Sequence, residues 1–249
     1  MLHIDPHNPR AQKLHDELDE YVDFTKIPIH VVFGGDGYML KIIREYGNLN
    51  TYIGINAGTL GFLMNDIHEK PNQSFADVVQ KLNTQQWITY AFPRLQLSKN
   101  DDNSKMLYAV NDVYLARTTG QSANLRIDID GVNVVEKLMC DGVIVATSLG
   151  STAYSSSAGG SPCHPLLRGI HITPISPRSP RLRSFMVPQS SVIEIETLTS
   201  ERRPTQVVCD GQSLGSCTRA KIQSGDDVRL AFLEGHNFTE TLVRKSVRS

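Results

Sequence analysis

Three segments of this 249-residue chain place together residue types that can handle an anionic ligand. The first is Gly34-Gly35-Asp36-Gly37, set between a β-branched run (Ile29 to Phe33) and a helical stripe (Leu40, Ile43, Tyr46) closed by Gly47. Glycine admits backbone conformations closed to other residues and lets a phosphate approach the main chain. A helix starting there turns its unpaired N–H groups and positive dipole end toward the same spot. Asp36 is the unexpected member, because a carboxylate repels phosphate. It can act as general base toward a hydroxyl or hold a metal that bridges phosphates. It can equally serve as a plain helix cap.

The second segment is Asp141-Gly142, then a strand, then Gly150-Ser151-Thr152-Ala153-Tyr154-Ser155-Ser156-Ser157-Ala158-Gly159-Gly160. Ser and Thr are mediocre inside helices. Capping accounts for one or two of these hydroxyls, and the rest read as turned toward a polar ligand. The third is Asn111-Asp112, polar at the centre of the strand-like Tyr108 to Leu115. Such residues are unfavourable in β structure and mark a bulge, an edge or a binding position. Asn can bond an adenine edge, and Asp can accept from ribose hydroxyls. Asp210-Gly211-Gln212 reads first as a turn, with ligand contact by Gln212 the minor alternative. No G-x-S-x-G, G-x-G-x-x-G or full P-loop motif is present.

The elements that position these residues follow from periodicity. Asn8-Pro9 reads as a helix N-cap and first residue, followed by the stripe Leu14, Leu18, Val22. Tyr52 to Ile55 is a strand leading into the glycine-rich Asn56 to Phe62, and Phe75, Val78, Val79 and Leu82 mark a third helix. Alternating strands and helices imply a parallel sheet. From about residue 87 short strands take over, with a hairpin predicted at Asp130-Gly131. Further strands are expected at 143–146, 192–195, 206–208, 228–232 and 238–242, one helix near 150–159, and a loop over 174–188. The domains expected are 1–90, α/β, and a mostly β domain from 91 on.

Composition narrows the partners. Lys and Arg number 25 against 26 Asp and Glu, a net charge of −1. A dedicated nucleic-acid or membrane-surface binder needs an excess of basic residues for its phosphate contacts. No apolar run reaches the ~18 residues of a membrane span, and the N-terminus shows no signal-peptide pattern. Four scattered cysteines without a C-x-x-C pair point to reduced thiols and a cytoplasmic setting.

Taken in order, Gly34 to Gly37, Gly54-Ile55-Asn56-Ala57-Gly58-Thr59-Leu60-Gly61-Phe62, Asn111-Asp112, Asp141 to Thr147, Gly150 to Tyr154, Ala158 to Gly160 and Cys209-Asp210-Gly211-Gln212 resemble the NAD kinase family. The resemblance implies a two-domain α+β protein. Its N-terminal domain, 1–90, is Rossmann-like with a parallel sheet, its C-terminal domain, 91–227, is an all-β sandwich, and a tail of about 228–249 returns to the first. It implies ATP or polyphosphate as phosphoryl donor, Mg²⁺ carried on the triphosphate, and a homodimer or homotetramer with the NAD site near the subunit interface. On the same basis Asp36 is the general base, and Gly34 and Gly35 are phosphate-binding. Gly37, Phe62, Asn111, Asp112, Asp141, Thr152, Ala153, Tyr154, Ser155, Ser157 and Gln212 are NAD contacts, with Phe62 beside the adenine.

The chain departs from the family pattern at Tyr38 (usually Thr), Asp112 (usually Glu), Leu149 (a proline lost nearby) and Met139 (often Arg). The last change removes a cation, which Arg178 or Arg181 can replace. Met139 and Leu149 also suit a non-catalytic sensor of NAD or NADP. A lipid kinase, which shares Gly-Gly-Asp-Gly, is disfavoured by the polar Gly150 to Tyr154 segment.

Overall fold

The computed structural model describes residues 1–58, 61–67 and 74–248; Thr59 and Leu60 of the glycine-rich segment lie outside the described residues. The chain divides into one unit of residues 1–92 with 227–245 and a second of 93–226 with 246–249.

In the first unit the chain runs β1 (Leu2–Ile4), α1 (Pro9–Asp19), β2 (His30–Gly34), α2 (Asp36–Tyr46), β3 (Thr51–Asn56) and α3 (Phe75–Asn83). Asn8 caps α1 by accepting from the Arg10 N–H, with Pro9 as first helical residue. α2 ends at Gly47, whose φ of +80° is one that L-residues avoid. Ser74 and Asp77 close a reciprocal capping box on α3. β1, β2 and β3 pair in parallel. Their side chains, with Leu18, Val78 and Leu82 from the helices, form one buried cluster.

Residues 93–226 of the second unit are all β apart from two short turns of helix. β4 (Trp87–Lys99), which enters it from Pro93 on, pairs with β5 (Asp102–Ala109). β6 (Asp112–Arg117), β7 (Ala123–Ile129), β8 (Val132–Cys140) and β9 (Gly142–Thr147) follow. After a 3-10 turn (Leu149–Thr152) and α4 (Tyr154–Ser157) come β10 (Gly169–Ile175), β11 (Phe185–Pro188), β12 (Ile193–Thr197), β13 (Thr205–Cys209) and β14 (Gln212–Ser216). One antiparallel sheet runs β11-β10-β9-β6-β13-β14, and β8, β7 and β12 continue a second. Inward residues of both sheets, among them Leu115, Val143, Val145, Leu125, Leu138 and Ile195, share one core. The hairpin between β7 and β8 turns at Asp130 (φ 52°) and Gly131 (φ 77°), which is what an Asp-Gly pair favours.

The last strand, β15 (Arg219–Leu233), pairs antiparallel with β12 through residues 219–222 and parallel with β3 through 229–231. α5 (Phe238–Arg248) closes the chain. The expected strand at 238–242 is therefore a helix. Apolar Phe238 and Leu242 are four residues apart, a spacing that fits periods of both 2 and 3.6. The Asn237 cap decides it: its side chain accepts from the Glu240 N–H, and Glu240 pairs with Arg244 one turn on.

Three further expectations change. Asn111 is not mid-strand, because β5 stops at Ala109 and β6 starts at Asp112. The helix expected over 150–159 is only a 3-10 turn and the four-residue α4, broken at Ala153 (ψ −133°). The 174–188 loop shrinks to 176–184, because Pro174 lies inside β10 and 185–188 form β11. No described helix is long and apolar enough to cross a membrane.

Candidate functional site

In the first unit the candidate side chain is Asp36, delivered by the β2-to-α2 turn. Its carboxylate accepts from the backbone N–H groups of Phe62 (2.9 Å) and Leu63 (3.0 Å), and Lys245 Nζ of α5 lies 3.6 Å from Oδ2. Asp36 is thus not a simple helix cap. It sits half-buried on α2 but bonds a segment 26 residues away. Gly61 fits because a Cβ there would press on the carboxylate oxygen.

None of Gly34, Gly35 and Gly37 has positive φ. A Cβ on Gly34 would meet the Tyr38 ring, whereas one on Gly35 or Gly37 would meet nothing. At Gly35 and Gly37 the chain itself leaves open space beside the start of α2, where the first N–H groups lack intrahelical acceptors. The Tyr38 hydroxyl donates to the Ile4 carbonyl at 3.0 Å, so the residue that departs from Thr is tied toward β1. The Phe62 ring is 2 % exposed and has Lys245 Nζ 5.5 Å from its centroid. It therefore offers no open face for an adenine, and what Phe62 gives the site is its N–H.

The second unit gathers Asn111, Asp112, Thr147, Gly150 and Asp210. The Asp210 carboxylate accepts from three successive amides, Val110 (2.7 Å), Asn111 (2.8 Å) and Asp112 (3.2 Å). Asp210 (φ 45°) and Gly211 form the β13–β14 turn, so the turn reading holds, but the carboxylate also builds the 110–112 segment. Thr147 Oγ1 donates to the Val110 carbonyl at 2.7 Å and accepts from the Gly150 N–H at 3.0 Å. A Cβ on Gly150 would run into the Asn111 carbonyl, so only glycine fits there. Asp210 was legible beforehand only as a turn residue; its triple acceptor role depends on a contact a hundred residues away.

Asp112 is 4 % exposed, and its carboxylate makes no hydrogen bond to the described residues. Burial, and then the charge of Asp210, push its carboxyl up to about 7. A buried acceptor beside an acidic neighbour suits a ligand that brings hydroxyl donors. The folded chain binds more protons than the unfolded chain between about pH 4 and 7, so this group lowers stability as pH rises through that window. Burial holds His3, His30 and His171 below the usual histidine range. They act oppositely, costing stability as pH falls below about 6.5. Asp112→Asn is therefore expected to raise stability at about pH 8 by on the order of 2–4 kcal/mol, and by much less at about pH 5. Urea midpoints at both pH values check this, and an equal shift at both would contradict it.

The serine-rich segment divides. Ser151 and Ser155 are fully buried: Ser151 Oγ donates to the Ser148 carbonyl, and Ser155 Oγ bonds Thr173 Oγ1 at 2.8 Å. They hold the turn rather than face outward, which removes Ser155 from the open contacts. Thr152 and Ala153 are partly exposed, and Tyr154 and Ser157 are exposed, with the Tyr154 ring edge-on to Tyr114 at 5.0 Å. Gln212 is exposed at the start of β14. Asp141 is not brought to this group. It lies just before β9, six residues from Thr147 and so roughly 20 Å away along the strand, and pairs with Arg117 Nε at 2.6 Å. Met139 makes an isolated bridge to Ser179, and its carbonyl accepts from the Arg178 N–H at 2.7 Å, so Arg178 is a near neighbour of Met139. Among the described residues no group of three or more His, Cys, Asp or Glu is placed to hold a metal.

One unit is a parallel sheet carrying a glycine-flanked aspartate, and the other is a two-sheet β unit carrying a buried carboxylate; the chain is a two-domain α+β protein. Residues 110–231 match the family described as the ATP-NAD kinase C-terminal domain. An NAD kinase of Rickettsia typhi is 32 % identical over 96 % of this chain and 94 % of its own. One from Brucella melitensis is 33 % identical over 96 % and 92 %. The chain belongs to the NAD kinase family, whose members are phosphotransferases. Among solved structures, yeast NADH kinase complexed with NADH superposes with a TM-score of 0.72 at 29 % identity, over 87 % of this chain and 63 % of that one. An Archaeoglobus fulgidus NAD kinase in complex with ATP superposes with a TM-score of 0.75 at 23 % identity, over 100 % and 98 %, and shares the fold.

Proposed function

We propose that this chain transfers the γ-phosphoryl group of ATP to the 2′-hydroxyl of the adenosine ribose of NAD, giving NADP. The observation that carries the reading is Asp36: a carboxylate oriented by two backbone N–H groups, at the start of a helix beside two glycines whose missing side chains leave space. In this reading Asp36 takes the proton as the ribose oxygen attacks phosphorus, and the bond to ADP breaks in line. Gly34, Gly35 and Gly37 let phosphate near the main chain. Asn111 faces the adenine edge, and Asp112 accepts from ribose hydroxyls. Thr152, Ala153, Tyr154, Ser157 and Gln212 supply further contacts.

Mg²⁺ enters with the triphosphate substrate, where it neutralises charge on the transferring group. Asp141, remote from Asn111 within one chain, contributes to the site of a neighbouring subunit in a homodimer or homotetramer. A cytoplasmic setting accords with the four free cysteines.

The test is NADP formation by the purified chain from NAD with Mg²⁺ and ATP, run beside a polyphosphate arm. NADP in the ATP arm is expected. NADP binding without turnover in either arm would instead make the chain a sensor, and phosphorylation of a lipid acceptor in place of NAD would make it a lipid kinase.

A further inference from the structure

A carboxylate at a phosphate-binding helix start poses an electrostatic problem, because it repels the ligand that the N–H groups attract. The C-terminal helix supplies an answer. Asp36 makes one ion pair among the described residues, to Lys245 at 3.6 Å. The two side chains are 24 % and 27 % exposed, shielded enough for the charge to act and open enough for a substrate to reach. Lys245 is itself held. Its ammonium lies 5.5 Å from the Phe62 ring centroid, and the Phe62 N–H bonds the same carboxylate oxygen that Lys245 faces.

α5 is anchored for this task. Phe238 is buried in an aromatic cluster with Tyr90, Phe92 and Phe232 at centroid distances of 4.8–6.1 Å. Lys245 follows Phe238 by seven residues, two helical turns, and so falls on the same face. An ionised carboxylate offers about four acceptor positions. The Phe62 N–H, the Leu63 N–H and Lys245 address three of them, which leaves room for one hydroxyl proton.

We propose that Lys245 is a positioning residue for phosphoryl transfer, one that fixes the Asp36 carboxylate and supplies the positive charge that lets an anionic base stand beside an anionic phosphoryl donor. This rests on the function proposed above and adds to it a residue of the tail. Lys245 does not take the proton; it acts through Asp36.

The experiment compares wild type, Lys245→Met and Lys245→Arg in NADP formation from NAD and MgATP, with KM for NAD and thermal midpoints measured on the same preparations. Methionine keeps the apolar stem against Phe62 and removes only the charge. For Lys245→Met we expect kcat to fall ~10–100-fold with KM for NAD and thermal midpoint nearly unchanged, and Lys245→Arg to recover most of the rate. A Lys245→Met enzyme with wild-type kcat overturns the inference while leaving the parent function intact. So does a loss that tracks the thermal midpoint and is not rescued by arginine, since that is merely a structural tail. A wild-type chain that makes no NADP removes both.

Discussion

Replacing Asp36 by Asn is expected to lower kcat for NADP formation by ~10²–10⁴-fold while NAD affinity stays within a few-fold of wild type. Asn keeps the shape and one acceptor oxygen, so at least one of the bonds from Phe62 and Leu63 survives and the loop over 61–63 stays attached. What is lost is the group able to take a proton. The ion pair to Lys245 also loses its negative partner. Steady-state kinetics with NAD titrated at saturating MgATP, together with NAD binding by calorimetry, separates the two effects. A variant with unchanged kcat would remove Asp36 from the chemistry. One that lost NAD binding in proportion to rate would make it a binding residue.

Asp210→Ala carries the next largest expected effect, on stability and binding together. Three amides at 110–112 lose their shared acceptor, and an alanine must hold a φ of 45°, where Asn and Asp are far better tolerated. The expected loss is about 3–5 kcal/mol, because the bonds are charge-assisted and partly buried. Relief of the like charge beside Asp112 offsets some of it. Asp210→Asn should fall between: its single acceptor oxygen can serve the Asn111 and Asp112 amides that Oδ1 now serves, and it tolerates the turn conformation. NAD affinity should follow the same order, wild type above Asn above Ala. Urea unfolding and NAD titration check the ranking, and an Ala variant as stable as wild type would show that the 110–112 segment is held by Thr147 alone.

How much of this was legible beforehand depended on whether the signal was local. α1 with its Asn8-Pro9 start, α2 ending at Gly47 and the Asp130-Gly131 hairpin each rest on a residue whose backbone preference acts within a few positions. The hydrophobic runs at β2, β3 and β9 are continuous because both faces are buried, and they read as strands for that reason.

Where two periods shared one spacing, as at Phe238 and Leu242, the pattern could not discriminate. The Asn237 cap and the Glu240–Arg244 pair were the available clues. Reading the tail as a strand also hid Lys245, which shares a face with Phe238 only on a helix. The break at Asn111 escaped for a different reason. Its cause is the Asp210 carboxylate, which captures amides a hundred residues away in sequence. Likewise the choice between Ser155, turned inward to Thr173, and Ser157, exposed, is made by β10 and not by the serine run itself. The residue types of the site were visible in the chain; their partners required the tertiary fold.

The central claim is that a proton leaves the ribose 2′-hydroxyl of NAD as that oxygen accepts the γ-phosphoryl group. It is tested most directly by supplying γ-labelled ATP and Mg²⁺ with either NAD or its 2′-deoxyadenosine analogue. Label is expected in NADP from the first and in no dinucleotide from the second. Label in the deoxy analogue, or none in NAD, would contradict the account.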